Sequence, residues 1–538
     1  MDVRTNPETP SDYGVTEHEE WREGQLESVK WALSDMPEVG FLEACTGSGK
    51  SAVSKAISSR SQVVVLTETK SLQDQYGSIY NAAVLKGKSN YECLHPKARH
   101  TQHYRATCED CLYPLKDMDS CPRYRDCPYL NAKYDALRSQ FSCLNYAYWL
   151  TSRIFVDSHQ GVLVCDEAHG VPDQVISRSG ISLRENRRLD YGLPPFPRIQ
   201  EAQGLLARVE NPLDPAMDWL TRAISALRMT YSYLQSEAED DPSARKKARK
   251  VEYFGMKLRA TMEAFATCKE EWFIESSPDQ KFAVMPLTAR NHFRSMFAGP
   301  NRQVLMMSAT LGNPAAMARE LGLNDEEWDS RVVPNAWPAW RRPIYRLPTP
   351  RLSYRSTEKE YGEQADMIAK AILSVPHSWS GIIHVTRKTE AKLLAHRLAR
   401  RGLQDRVWVT PETGTSGQLE AWEIRKAKFP GSLMLAWSFH QGFDGLDERI
   451  CCTAKVQFPS LGDKYEQRRF EFSKEMYQQR AAQMMEQSQG RTRRGREEDY
   501  DVEGKRRGLN IIADENVGMI KKYFSQGFLE ALQKGMPE

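Results

Sequence analysis

A short apolar run, Val39-Gly40-Phe41-Leu42-Glu43, breaks into Ala44-Cys45-Thr46-Gly47-Ser48-Gly49-Lys50-Ser51 and then into a segment with Ala52, Val53, Ala56 and Ile57 on one helical face. A buried strand, a loop with two glycines and a helix make a cradle in which backbone N–H groups and a helix N-terminus converge on one anion. In such a cradle Thr46, Gly47, Ser48 and Gly49 offer the loop backbone. Lys50 reaches the β- and γ-phosphates of a nucleotide, and the Ser51 hydroxyl ligates magnesium. The strict pattern has a glycine where this chain has Ala44.

Further strand ends carry groups that suit such a site. Gly161 to Cys165 reads as a buried strand and runs into Asp166-Glu167-Ala168-His169. A carboxylate there can hold magnesium through water, and its neighbour can orient the water that attacks the γ-phosphate. Gln62 to Thr67 is another strand, followed by Thr67, Thr69, Ser71 and Gln73. At the carboxyl end of a parallel strand these groups either meet a ligand or cap the next helix. Upstream, Arg22 and Gln25 form an arginine-x-x-glutamine that either reads an adenine edge or lies on a helix surface.

With 538 residues the chain suggests three or four folded units. Its 74 basic and 71 acidic residues nearly cancel, so any polyanion site must come from local clustering. No apolar run is long enough for a membrane span and Met1 to Asp12 is polar, so a soluble intracellular, cytoplasmic protein with no membrane partner is expected. Five of the 11 cysteines, Cys93, Cys108, Cys111, Cys121 and Cys127, crowd one segment, which in a reducing compartment points to a metal site before disulfides.

Asp166-Glu167-Ala168-His169 resembles the DEAH box of superfamily-two helicases, many of which also use the Ala-x-Thr-Gly-x-Gly-Lys-Ser form of the loop. Val304 to Thr310 resembles their third motif, a strand ending in Ser-Ala-Thr, and Gln487-Ser488-Gln489-Gly490-Arg491-Thr492-Arg493-Arg494 their sixth. In the second half Ser380–Thr386, Ser432–Trp437, Cys451–Phe458 and Leu509–Ala513 are strand-like, with helical patterns such as Ala391–Arg400 between them. The resemblance implies an α/β fold of two RecA-like lobes with ATP between them. Gly442 and Asp444 of a fifth-motif-like Gly442-Phe443-Asp444 would approach the ribose or the magnesium shell, and Gln487 the nucleotide. Arg491 and Arg494 would be arginine fingers. Thr386 and Arg387 would join Thr67, Thr69 and Gln73 along the nucleic acid.

Leu85 to Cys93 and Cys127 to Lys133 resemble the borders of the iron–sulfur domain of XPD/DinG-type helicases, and Asn145 to Leu150 fits that family's approach to the box. The resemblance implies a [4Fe–4S] cluster on four thiolates. Cys93 and Cys127 follow from their flanks, Cys121 from a DinG-like spacing, and the fourth ligand is Cys108 or Cys111, with Cys108 preferred. Zinc is the alternative, since Cys108-x2-Cys111 has knuckle spacing. Tyr124, Tyr129 and Trp149 are candidates for stacking on bases or for core packing.

These readings divide the chain into a disordered lead (1–12), a first lobe (13–311), a linker (312–345) and a second lobe (346–538). The first lobe carries the iron–sulfur insertion (86–135) and a mainly helical arch (172–300). The run Arg245 to Lys250 in the arch either meets phosphates or is a solvated helix face. The expected activity is ATP-dependent unwinding of forked duplex DNA by a monomer moving 5′ to 3′ on single-stranded DNA, the polarity being the family's. RNA stays open, because phosphate contacts position a strand without naming its sugar. The rivals are a translocase that remodels complexes without unwinding, and a non-catalytic single-strand-binding scaffold with a zinc module.

Overall fold

The computed structural model describes residues 8–45, 48–95, 105–111, 120–197, 213–237, 241–267, 271–277, 280–334, 343–353, 355–411, 415–437, 448–489, 508–534 and 536. Thr46, Gly47, Gly442, Asp444, Arg491 and Arg494 lie outside them.

The first part of the chain lays down strands β1 (Val39–Glu43), β2 (Val63–Thr67), β3 (Ala83–Leu85), β4 (Phe141–Asn145) and β5 (Gly161–Asp166). An excursion then builds β6 (Ile181–Arg184), β7 (Trp272–Ser277) and β8 (Lys281–Pro286). The chain returns as β9 (Arg302–Ser308) and β10 (Trp328–Val332). Strands β1 to β5, β9 and β10 form one parallel sheet in the order β10-β1-β9-β5-β2-β4-β3. A parallel sheet is covered on both faces, which is why these segments read as unbroken apolar runs. Phe41, Leu66, Leu163 and Met306 fill one face, while Leu42, Val65, Val164 and Met307 fill the other. That order seats β9 between β1 and β5, so the ends of these three strands, and the loops that leave them, lie side by side.

A second parallel sheet follows: β11 (Ile344–Arg346), β12 (Gly381–His384), β13 (Val407–Val409), β14 (Leu433–Ala436), β15 (Ile450–Thr453), β16 (Leu509–Ile512) and β17 (Leu532–Lys534). Its order is β13-β14-β12-β15-β16-β11-β17. The expected strands are present, but β15 stops at Thr453 and does not reach Phe458.

Two expectations change. Residues 312–345 are not simply a linker: they hold the helix Pro314–Leu321, started by Pro314 and the Asn313 N-cap, and β10, which pairs with β1. Burial of Met317 and Leu321 in the core of the first sheet draws this segment in. The lead is not wholly without structure, since Pro10–Tyr13 forms a 3-10 turn with Tyr13 buried and bonded to Glu8. The arch combines two long helices with a small sheet. Its helices Leu213–Glu237 and Pro242–Thr267 pack on the antiparallel sheet β6-β8-β7 around Trp219, Leu227, Leu258 and Phe282. Alternating burial of Ile181 and Leu183 against exposed Ser182 and Arg184 marks a sheet with one covered face. The Arg245 to Lys250 run lies within the second of these helices. Among the described residues no helix is long and apolar enough to cross a membrane.

Candidate active site

The loop after β1 turns at Gly49, whose φ of 84° suits a residue without a side chain. A Cβ there would also run into the Gln25 amide. Gln25 is buried: its Nε2 donates to Ser48 O at 2.8 Å and Gly49 O at 3.3 Å, and its Oε1 accepts from Arg22 N at 2.8 Å. In this structure Gln25 therefore braces the loop backbone, and its amide does not extend toward a base. Arg22 is exposed beside it. Lys50 opens the helix Lys50–Ile57, and its Nζ folds back onto Ala44 O at 3.0 Å.

Asp166 closes β5 and is buried. Its Oδ1 accepts from Glu167 N at 3.0 Å and its Oδ2 from the Tyr76 hydroxyl at 3.1 Å, while the Tyr146 hydroxyl donates to its backbone oxygen at 2.7 Å. A buried phenol thus braces one of the groups expected in the magnesium shell. Burial and then the Glu167 charge push the Asp166 carboxyl up, against the pull of Lys50. Burial opposes ionisation of Glu167 too, but His169, Lys50 and Ser308 outweigh it and hold Glu167 low. Of the two adjacent carboxyls, Glu167 is thus the first to ionise as pH rises. Glu167 has a left-handed backbone (φ 53°), uncommon outside glycine, which turns its side chain toward β9.

His169 ties three motifs together. Its Nδ1 lies 3.1 Å from Ser308 Oγ, 3.4 Å from Thr310 Oγ1 and 3.4 Å from Glu167 Oε2. Its Nε2 meets the Gln487 side-chain amide, on a helix (Lys474–Gln489) of the second half. With Nε2 accepting, the Nδ1 proton is left to donate toward Glu167 or Ser308. Glu43, at the end of β1, also reaches the second half: its Oε1 accepts from Gly527 N at 3.3 Å, at the start of the helix Gln526–Ala531.

Several expected nucleic-acid contacts are not presented to solvent. Gln73 is buried, with Nε2 donating to Leu85 O at 3.2 Å, and Thr67 is buried with its hydroxyl 3.4 Å from Thr69 O. Thr69 is exposed but serves as an N-cap, its Oγ1 accepting from Leu72 N. Tyr124 is half-buried against Tyr134, their hydroxyls 2.7 Å apart, and Tyr129 and Trp149 are core residues. Thr386 bonds Glu390, while Arg387 is exposed.

In the cysteine-rich module Cys108 Sγ lies 3.9 Å from Cys127 Sγ, and the Cys93 thiol bonds that of Cys111. Cys93, Cys108 and Cys111 are buried; Cys121 and Cys127 are partly exposed. Cys121 feels the charges of Cys111 and Cys127 but sits farther out, so the buried thiols include Cys111 alongside Cys108. Among the described residues no three such ligands are gathered as a finished metal cage. The donor set is all sulfur, which in kind fits a thiophilic metal or cluster.

Sequence reading missed Tyr76, Tyr146, Glu43 and the Gln479 and Gln483 side chains described below. Helical periodicity assigns a residue to a face but does not name what that face meets.

No family model matches the chain. A curated relative, the ATP-dependent DNA helicase YoaA of Escherichia coli (strain K12), is 25% identical over an alignment of 207 residues that covers 28% of this chain and 32% of that protein. The chain thus spans about a third of the length of that relative. Among solved structures, an XPD helicase superposes with a TM-score of 0.53 at 14% identity over 95% of this chain and 98% of the other. Apo XPD does so at 0.50, with 13% identity over 93% and 96%. At those identities the likeness is one of fold: two RecA-like lobes, each built on a parallel sheet.

Proposed function

We propose that this chain, XPD/DinG-like in its fold and in the order of its motifs, is an ATP-dependent DNA helicase that travels along a single strand inside the cell. The observation that carries the reading is the meeting of Glu167, His169, Ser308 and Gln487 where the two lobes touch, beside Lys50 and Asp166. In this reading Lys50 grips the β- and γ-phosphates, Ser51 and Asp166 hold a magnesium ion, and ionised Glu167 orients the attacking water. Magnesium held by Ser51 and Asp166 would supply positive charge against that developing on the phosphates. Arg491 and Arg494 complete the site from the second lobe, with Gly442 and Asp444 near the ribose. Exposed Arg387 lies along the strand. Turnover then alternates the contacts between lobes and advances one of them. The cysteine-rich module, holding a [4Fe–4S] cluster or zinc, stands as the wedge at a forked duplex, and the direction is 5′ to 3′.

The test is DNA-stimulated ATP turnover together with strand displacement on forks carrying a 5′ or a 3′ single-stranded tail. Glu167→Gln should lower kcat about a hundredfold or more. Unchanged turnover in that variant would point to a binding scaffold. Turnover without displacement on either fork would point to a translocase.

A further inference from the structure

The helix Lys474–Gln489 lies between the lobes with two unlike sides. Ala481, Ala482 and Met485 pack into a core with Ile512, Ile520 and Phe528 of the second half. On another side Gln479, Gln483 and Gln487 recur every four residues, the spacing that stacks side chains on one helical face. All three reach the first lobe. Gln479 makes a two-point pair with one backbone residue: its Nε2 donates to Asn313 O at 3.2 Å and its Oε1 accepts from Asn313 N at 3.4 Å. Gln483 Nε2 donates to Leu311 O at 3.0 Å, and Gln487 meets His169. The close approach depends on Gly312, whose φ is 76° and where an added Cβ would lie 2.9 Å from Gln479 Nε2.

Gln479 and Gln483 are 1% and 7% exposed, too buried to be covered by water. A buried amide is costly unless it is hydrogen-bonded, so side chains of this kind specify a register more strictly than apolar ones do. Sliding or turning the helix would leave both amides and the backbone groups of 311–313 without partners. The rungs at Leu311 and Asn313 follow directly on the Ser-Ala-Thr segment, and the last rung is the imidazole that contacts Glu167.

We infer that Gln479 and Gln483 are positioning residues: they fix the register at which Gln487 meets His169 and so set the orientation of Glu167. The ladder passes the state of contact between the lobes to the carboxylate that handles water. This rests on the reading of the cleft as an ATP hydrolase.

Gln483→Met keeps the length of the side chain and removes the amide; Gln479→Met does the same one rung away, and Gly312→Ala displaces that rung if either methionine variant folds poorly. Each should lower kcat about tenfold while KM for ATP stays within about twofold, the pattern of an interaction used in the transition state and not in binding. In a Gln487→Ala background Gln483→Met should add no further loss. An equal loss in both backgrounds, or a change in KM alone, would make the ladder a packing feature and overturn the inference. A readout free of turnover separates this from the functional reading: the His169 ring nitrogens, followed by NMR in histidine-labelled protein, should shift in Gln483→Met as in Gln487→Ala. An unmoved His169 signal overturns the ladder whether or not the chain hydrolyses ATP. A moved signal in a chain whose native form has no turnover overturns the functional reading and leaves the ladder standing.

Discussion

Side chains of one type are put to different uses by what surrounds them. Gln25 holds a loop, Gln73 holds the end of β3, and neither is offered to a ligand, because a buried amide is spent on the nearest backbone groups. His159 shows the same pressure on a titratable ring. It is 3% exposed, packed edge-on against Trp149, and burial with the Arg302 charge pushes its pKa down to about 4. The unfolded chain takes up a proton near pH 6.5 and the folded one does not, so stability present above that pH is lost as pH falls toward 4, by up to about 3 kcal/mol. Denaturant midpoints measured from pH 7 to pH 4 should therefore fall more steeply for the native protein than for His159→Gln, and parallel curves would remove His159 as the cause. The residues legible in the sequence, such as Lys50, Asp166, Glu167 and His169, have roles tied to a local pattern. Tyr76, which donates to Asp166, has none: its partner comes from another element, and only folding brings the two together.

At the scale of elements, contact between the halves runs largely through two consecutive helices, Lys464–Phe472 and Lys474–Gln489. Arg469 and Glu320, 3% and 4% exposed, pair at 3.0 Å, and Arg469 also donates to Leu287 O. Arg480 joins Asp173 at 2.8 Å and Glu466 at 3.0 Å. Removing one member of a buried pair strands the other, so Arg469→Met should cost about 3 to 5 kcal/mol, whereas Arg469→Met with Glu320→Leu should recover most of it. Thermal unfolding of the single and double variants distinguishes a paired charge from simple loss of packing, which the double variant would not restore. The strands were legible as apolar runs because both faces of each sheet are covered. The segment 312–345 misled because its prolines suggest a connection, whereas Pro314 starts a helix and Pro334 follows a strand that pairs with β1. The antiparallel sheet of the arch was hidden because two long helices separate β6 from β7 and β8 in sequence.

At the scale of the molecule, the cysteine-rich module touches the arch, the other insertion of its lobe. Arg249, on the long arch helix, donates to Cys111 O, and burial followed by the Arg249 charge lowers the pKa of neighbouring Lys88 to about 8. Protein purified without oxygen should contain iron and sulfide at about four each per chain. Paired Cys108→Ser and Cys127→Ser substitutions should remove both and make the arch helix Pro242–Thr267 easier to cleave. Zinc in place of iron would assign the module to a knuckle. The contact between Glu43 and Gly527 spans 484 positions of sequence, and β17 pairs with β11 at the start of its sheet. As the chain leaves the ribosome, the first sheet has all its strands once Val332 has emerged, while the second waits for residues beyond 530. Domains fold in that order during synthesis. Until residues beyond 530 have emerged, the carboxylate at the end of β1 stays wet and the second sheet is missing its edge strand. On the proposed reading, a chain stopped before them would keep the cradle without the partner surface, so that nucleotide capture is decoupled from work until the second lobe has closed.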